Sequence, residues 1–284
     1  MSAAPARTPG TAAAPTVGPV PAVDAVPLSR RTALALALTS VVGLLAFGWP
    51  LLVGATSALA AGTQAPLVLG VVLVGVLAVF LVAVNDGGID VKAIAMLGLL
   101  SAVGAVLRPL AAGTGGVETV FVVMLLGGRV FGPGFGFVLG STTMVASALL
   151  TGGVGPWLPF QMLGASWLGL GAGLLPRRLR GRVELAALAA YGAVAAVLYG
   201  VAMNLSFWPF QLGAGTGLSF EAGAPLAENL SRFALYSVTT SLGWDLGRAV
   251  TTAVGVALLG RPVLAALRRA SVRAAFGPAS AHPA

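Results

Sequence analysis

The 284 residues contain no cysteine. That excludes disulfides, thiolate-held zinc and a cysteine nucleophile. Histidine occurs once, as His282 near the C-terminus, where a polar tail would not hold an imidazole at a fixed distance from a reacting group. Charge is scarce as well. Only 8% of the residues are Asp, Glu, Lys or Arg, against roughly 25% in soluble globular proteins, so the chain reads as an integral membrane protein. The glycine-dense GGRVFGPGFG at 127–136 lacks the GK[ST] ending of a phosphate-binding loop, and no other segment supplies one. If transport needs ATP, another subunit must hydrolyse it. With no histidine, cysteine or paired-carboxylate motif inside the apolar runs, an intramembrane enzyme is disfavoured. No cofactor or metal site is expected.

Hydrophobic residues make up 57% of the chain, and 40 residues are glycine. Residues 1–27 are rich in Pro and Ala and read as a disordered arm. Eight apolar runs follow, at 32–60, 66–84, 92–108, 117–130, 134–151, 158–175, 184–204 and 232–259. A crossing takes about 20 helical residues, and lipid offers no water to an open strand edge. The expected fold is therefore an all-α, polytopic membrane helical bundle, its glycines suited to close helix approach. Pro50 should kink the first run. The SRRTALALAL opening is similar to an export signal, but its apolar run is long for a signal core, so an uncleaved anchor is expected. The run 117–130 would extend only about 21 Å and could be half of a re-entrant hairpin with 134–151. Arg129 favours two true crossings, because a re-entrant turn would place its charge in lipid at several kcal/mol.

A formal net charge of +8 could suit nucleic acid, but the cations gather at the ends of apolar runs. Thirteen of the sixteen Lys and Arg residues fall on the side of the N-terminus, leaving Arg108 and Arg232 opposite and Arg248 within the last run. The positive-inside rule then puts both termini in the cytosol of a multi-pass cell-membrane protein.

The breaks between runs carry the rarer side chains. LTGGVGPWLPFQ at 150–161 sets Trp157, Phe160 and Gln161 among glycines and prolines, and 205–231 repeats those ingredients in Phe207, Trp208, Pro209, Phe210 and Gln211. Ring faces with a few amides suit a small-molecule pocket, and an interfacial aromatic anchor beside an ordinary turn suits the same residues. On the expected topology both segments lie outside, together with Arg108 and Glu118 at the third turn of this half. Those two charges could pair with each other or contact a polar solute. Asn204, which precedes the long loop, and Trp244 are further candidate contacts. Asp245 and Arg248, three residues apart, share a helical face and would form an intramembrane ion pair, either as a structural lock or as a functional pair.

From about 92 to 262 the chain resembles the S components of energy-coupling factor (ECF) transporters, the membrane subunits that bind vitamins. The resemblance lies in GGRVFGPGFGFVLG, TGGVGPWLPFQMLGA and a closing W-D-x-x-R helix ending in LLGRP. It implies a six-helix core at 85–262, preceded by an arm at 1–31 and two added transmembrane helices at 32–84, and followed by a basic tail at 263–284. It further implies capture of a vitamin-sized solute, with a cobalamin-like ligand as the leading candidate, under outer loops at 109–116, 152–157 and 205–231. The partners it implies are a membrane coupling subunit and two ATPase subunits. The whole subunit would topple in the bilayer to deliver its load. Docking would use a small-xxx-small motif on the first core helix, matched loosely by Gly98 with Ala102 and by Ser101 with Ala105. The alternative is a secondary transporter driven by an ion gradient through Asp245 and Arg248.

Overall fold

Apolar runs that must satisfy every backbone group internally form helices. The computed structural model describes residues 28–52, 71, 75, 78, 91–110, 114–211 and 215–274, and all regular structure among them is helical. The helices are α1 (Arg30–Phe47), α2 (Trp49–Leu52), α3 (Val91–Leu110), α4 (Val120–Phe131), α5 (Pro133–Thr151), α6 (Leu158–Leu174), α7 (Gly181–Gln211), α8 (Leu226–Thr240) and α9 (Leu242–Ala274). Of these, α1, α3, α5, α7 and α9 are long and apolar enough to cross a membrane. The protein is an all-α, multi-pass membrane bundle. The arm at 1–27, most of the run at 66–84 and the tail bearing His282 lie outside the described residues.

The bundle is built around α4. Its 12 residues span only about 18 Å, yet Val120, Phe121, Met124, Leu125 and Phe131 are completely buried. It touches α3, α5, α6, α7 and α9. In lipid, apolar contact alone gives little preference for helix over lipid tail, so close backbone approach has to do the packing. Glycine provides it where α4, α5 and α6 meet. A Cβ on Gly128 or Gly136 would run into the Gly169 carbonyl, one on Gly169 into the Gly136 carbonyl, and one on Gly140 into the backbone at Ala165.

The elements sort into two ends. At one, Arg129 Nε donates to Glu184 Oε1 at 2.7 Å, and its other nitrogens donate to the carbonyls of Leu175, Pro176 and Leu179. Arg268 Nη2 reaches the same Glu184 oxygen at 2.5 Å. The α4–α5 turn, the α6–α7 turn and the far part of α9 are thereby gathered at this Arg129 end. At the other, Thr119 Oγ1 donates to the Leu107 carbonyl, bringing the start of α4 beside the last turn of α3. Thus α4 runs from one end to the other. Because it is shorter than its neighbours, it also leaves space above its N-terminus.

One expectation holds and two are corrected. The first run breaks at Gly48, between Pro50 and Ala46, whose carbonyl the proline cannot bond. The 205–231 loop is shorter than expected, since α7 runs through FWPFQ to Gln211 and α8 begins at Leu226. The reason is Trp208. It is completely buried against Phe220, Phe233 and Tyr236 and donates to the Leu218 carbonyl at 2.7 Å, which holds the helix past Pro209. Finally, 232–259 is two helices broken at Ser241. Asn229, Phe233 and Tyr236, one face of α8 by their spacing, turn inward, while α9 starts afresh and continues to Ala274.

The N-terminal helices α1 and α2 have a defined seat. Trp167 of α6 donates to Ser40 Oγ of α1 at 2.9 Å, Trp49 of α2 donates to the Ser206 carbonyl of α7 at 3.0 Å, and Phe47 packs edge-on to Phe160 at 5.2 Å. They cover α6 and α7 and leave the outward face of α3 uncovered by any described element.

Candidate functional site

The space above α4 is a cavity of about 380 Å3, lined at its polar side by Arg108, Glu118, Ser147 and Arg248 and at its apolar side by Trp157 and Trp244. Its floor and walls follow from local chain chemistry. Gly115 and Gly116 take φ of +52° and +78°, a region that side chains other than glycine's rarely adopt, and so fold the 114–118 turn tightly. A Cβ on Gly116 would strike the Trp244 carbonyl and one on Gly247 the Gly115 carbonyl, so this turn lies directly on the first turns of α9. Gly152, at φ +67°, ends α5 and lets the chain swing back to Trp157.

Arg108, at the last turn of α3, ties the cavity wall together. Its Nη2 donates to Gln161 Oε1 at 3.0 Å and its Nη1 to Ser147 Oγ at 3.4 Å, joining α3, α5 and α6. Glu118 has no hydrogen bond or ion pair among the described residues, and it faces the charges of Arg108 and Arg248. The expected Arg108–Glu118 contact is therefore a shared cavity rather than a salt bridge. Asp245 and Arg248 do pair, Oδ1 to Nη1 at 2.6 Å. The Arg248 guanidinium also lies over the Tyr199 ring, 5.6 Å from its centroid, a cation–π contact that helps keep it inside the bundle. Gly200 makes room for the pair: a Cβ there would overlap the Asp245 carboxylate.

A second cavity, about 350 Å3, lies between α7, α8 and α9 and shares Trp244 and Arg248 with the first. Asn204, Tyr236, Thr240, Ser241 and Asp245 line it. Asn204 and Arg248 line it, and a buried donor of each, Asn204 Nδ2 and Arg248 Nε, has no hydrogen-bond partner among the described residues. Unpaired buried donors are costly, so a side-chain shift that brings either to an acceptor is favourable.

Of the expected contacts, Arg108, Glu118, Trp157 and Trp244 line the first cavity, Asn204 and Trp244 the second, and Gln161 holds Arg108. Two others lie elsewhere. Phe160 is buried between Phe47 and Phe207, and Trp208 belongs to the aromatic cluster with Phe220, Phe233 and Tyr236; neither lines either of these two cavities. Gln211 is the last residue of α7. The small-residue motif divides: Gly98 and Ala102 lie on the exposed face of α3, whereas Ser101 and Ala105 are buried, with the Ser101 hydroxyl bonded to Thr142 at 2.7 Å. Ser101 and Ala105 are thus not available to a partner. Sequence reading missed Ser147 and Thr151, whose signal was two hydroxyls at i, i+4 closing an apolar run. It also missed Tyr236 and Thr240, whose spacing has meaning only once α8 is known as a separate helix.

No curated protein matches the chain, and no solved structure does. Residues 92–265 match the family described as "ECF transporter, substrate-specific component". That stretch is more than half of the 284 residues and takes in α3 to α8 and most of α9, hence both cavities. The chain belongs to the substrate-specific component family of ECF transporters.

Proposed function

We propose that this subunit captures a vitamin-sized solute from the exterior at the Arg108 end of the bundle and passes it inward with a membrane coupling subunit and two ATPase subunits. The carrying observation is the pair of adjacent cavities at one end, which share Trp244 and Arg248 and where ring faces and guanidinium groups converge. Such a mixture of apolar walls with a few placed polar groups is how small-molecule sites are generally made. The arginine-rich turn at 177–182 lies at the opposite end, which supports a cytosolic Arg129 end and cytosolic termini. At about 380 and 350 Å3, the chambers are at the small end of the range for ligand sites.

The face of α3 that no described element covers supports docking of the coupling subunit there. Gly98 has open space around its Cβ direction, and Ala102 is exposed one turn on, so a partner helix can approach the backbone. The test is calorimetry on the full chain in lipid nanodiscs across a panel of water-soluble vitamins, followed by uptake in cells with and without an ATPase pair. Binding of one compound, with uptake only when the ATPases are present, is expected. No binding across the panel, or uptake without ATPases, contradicts the proposal; the second result would point to ion coupling through Asp245 and Arg248.

A further inference from the structure

We infer that the two cavities form one bipartite site for an elongated solute of no net charge. A flat ring lies against Trp157 and Trp244 in the first chamber, and an uncharged arm bearing hydroxyls or amides passes Trp244 into the second. This inference rests on the capture proposal above and adds the chemistry of what is captured.

Charge is the first argument. The charged groups lining the two chambers are Arg108 and Arg248 against Glu118 and Asp245, which sum to zero. A solute with a net charge would leave one charge uncompensated away from water, which is strongly unfavourable. A neutral solute, or one with balanced charges, leaves the site balanced.

Shape and hydrogen bonding supply the second. Trp157 and Trp244 are each 44% exposed, and the Trp157 indole N–H is already used on the Gly153 carbonyl, so what it offers a solute is its ring face. Glu118, which accepts no hydrogen bond from the described residues, suits an N–H edge of the ring. The second chamber has a different character. Asn204 Nδ2 and Arg248 Nε lack acceptors among the described residues, and Thr240 and Ser241 line it beside them. Because Asp245 already balances Arg248, the fitting group is a neutral acceptor, a hydroxyl or amide oxygen, rather than a carboxylate. Trp244 and Arg248 belong to both chambers, so a single molecule reaching from one to the other meets all of these groups.

The experiment uses the full chain in nanodiscs, incubated with the small-molecule fraction of yeast extract, washed, and read by native mass spectrometry with identification of the released compound. Two variants accompany it. Asn204→Leu removes the free donor at similar volume, and Thr240→Trp fills the second chamber from its exposed rim. The inference expects a retained ring compound, uncharged overall at pH 7, with a hydroxyl- or amide-bearing arm. Each correctly folded variant should lower its retention by about tenfold or more, and if one variant does not fold, the other decides. A retained compound of net charge, or full retention by a folded variant, overturns the bipartite site while leaving capture intact. No retained compound at all overturns both.

Discussion

Glu184 gives the sharpest test of how the bundle is held at its Arg129 end. Its side chain is 2% exposed and accepts from both Arg129 and Arg268, whose side chains are 4% and 39% exposed. Replacing Glu184 with Gln leaves a neutral acceptor between two cations. Removing one partner of a buried pair generally costs about 3–5 kcal/mol, chiefly through the charge left behind. Here that charge is Arg129, because Arg268 can turn to water. Arg129 retains its bonds to three backbone carbonyls, so the lower figure, about 3 kcal/mol, applies. At roughly 2–4 °C per kcal/mol for a chain of this size, the thermal midpoint in detergent should fall by about 6–12 °C. Arg268→Gln removes only the half-exposed partner and should cost under about 1 kcal/mol. Circular dichroism melts of the two variants beside wild type decide the matter. Equal, small shifts of under about 2 °C for both would refute the assignment of Arg129 as a buried charge that depends on Glu184.

Three further outcomes follow from the same geometry. Gly136→Ala, with its Cβ driven at the Gly169 carbonyl, should lose about 1–3 kcal/mol, while Gly98→Ala, in open space on a helix, should be neutral or gain up to about 1 kcal/mol; parallel thermal melts compare them. Trp208→Ala should lower stability by about 3–5 kcal/mol yet leave solute affinity within about threefold, since the ring is in the cluster and not the cavity; calorimetry and melts together separate the two effects. Ala102→Trp should prevent co-purification with the coupling subunit while solute binding is retained, as measured by pull-down and calorimetry.

Helices whose ends are set by local chemistry were legible. The run read as 134–151 is Pro133–Thr151, and that read as 158–175 is Leu158–Leu174: proline starts both, and a left-handed Gly152 stops the first. The Asp245–Arg248 pair was legible because spacing alone places both on one helical face. What tertiary packing decides was not. Nothing within 232–259 announces the break at Ser241, which depends on Phe233 and Tyr236 turning toward Trp208. Likewise WLPFQ and FWPFQ are nearly the same word, yet Trp157 stands exposed on a turn and Trp208 is sealed in a helix. The difference lies in what surrounds them. The cavity itself depends on α4 being shorter than its neighbours, a relation between helices that no single run discloses.

Because the chain has no cysteine, one introduced thiol can report which end faces out. Val154→Cys, on the exposed turn beside the first cavity, and Arg178→Cys, on the exposed turn at the Arg129 end, are treated in intact cells with a membrane-impermeant maleimide. The account predicts labelling at 154 without permeabilisation, slowed by the bound solute, and none at 178 until the membrane is opened. Labelling at 178 alone in intact cells would turn the cavities toward the cytosol and contradict capture from outside.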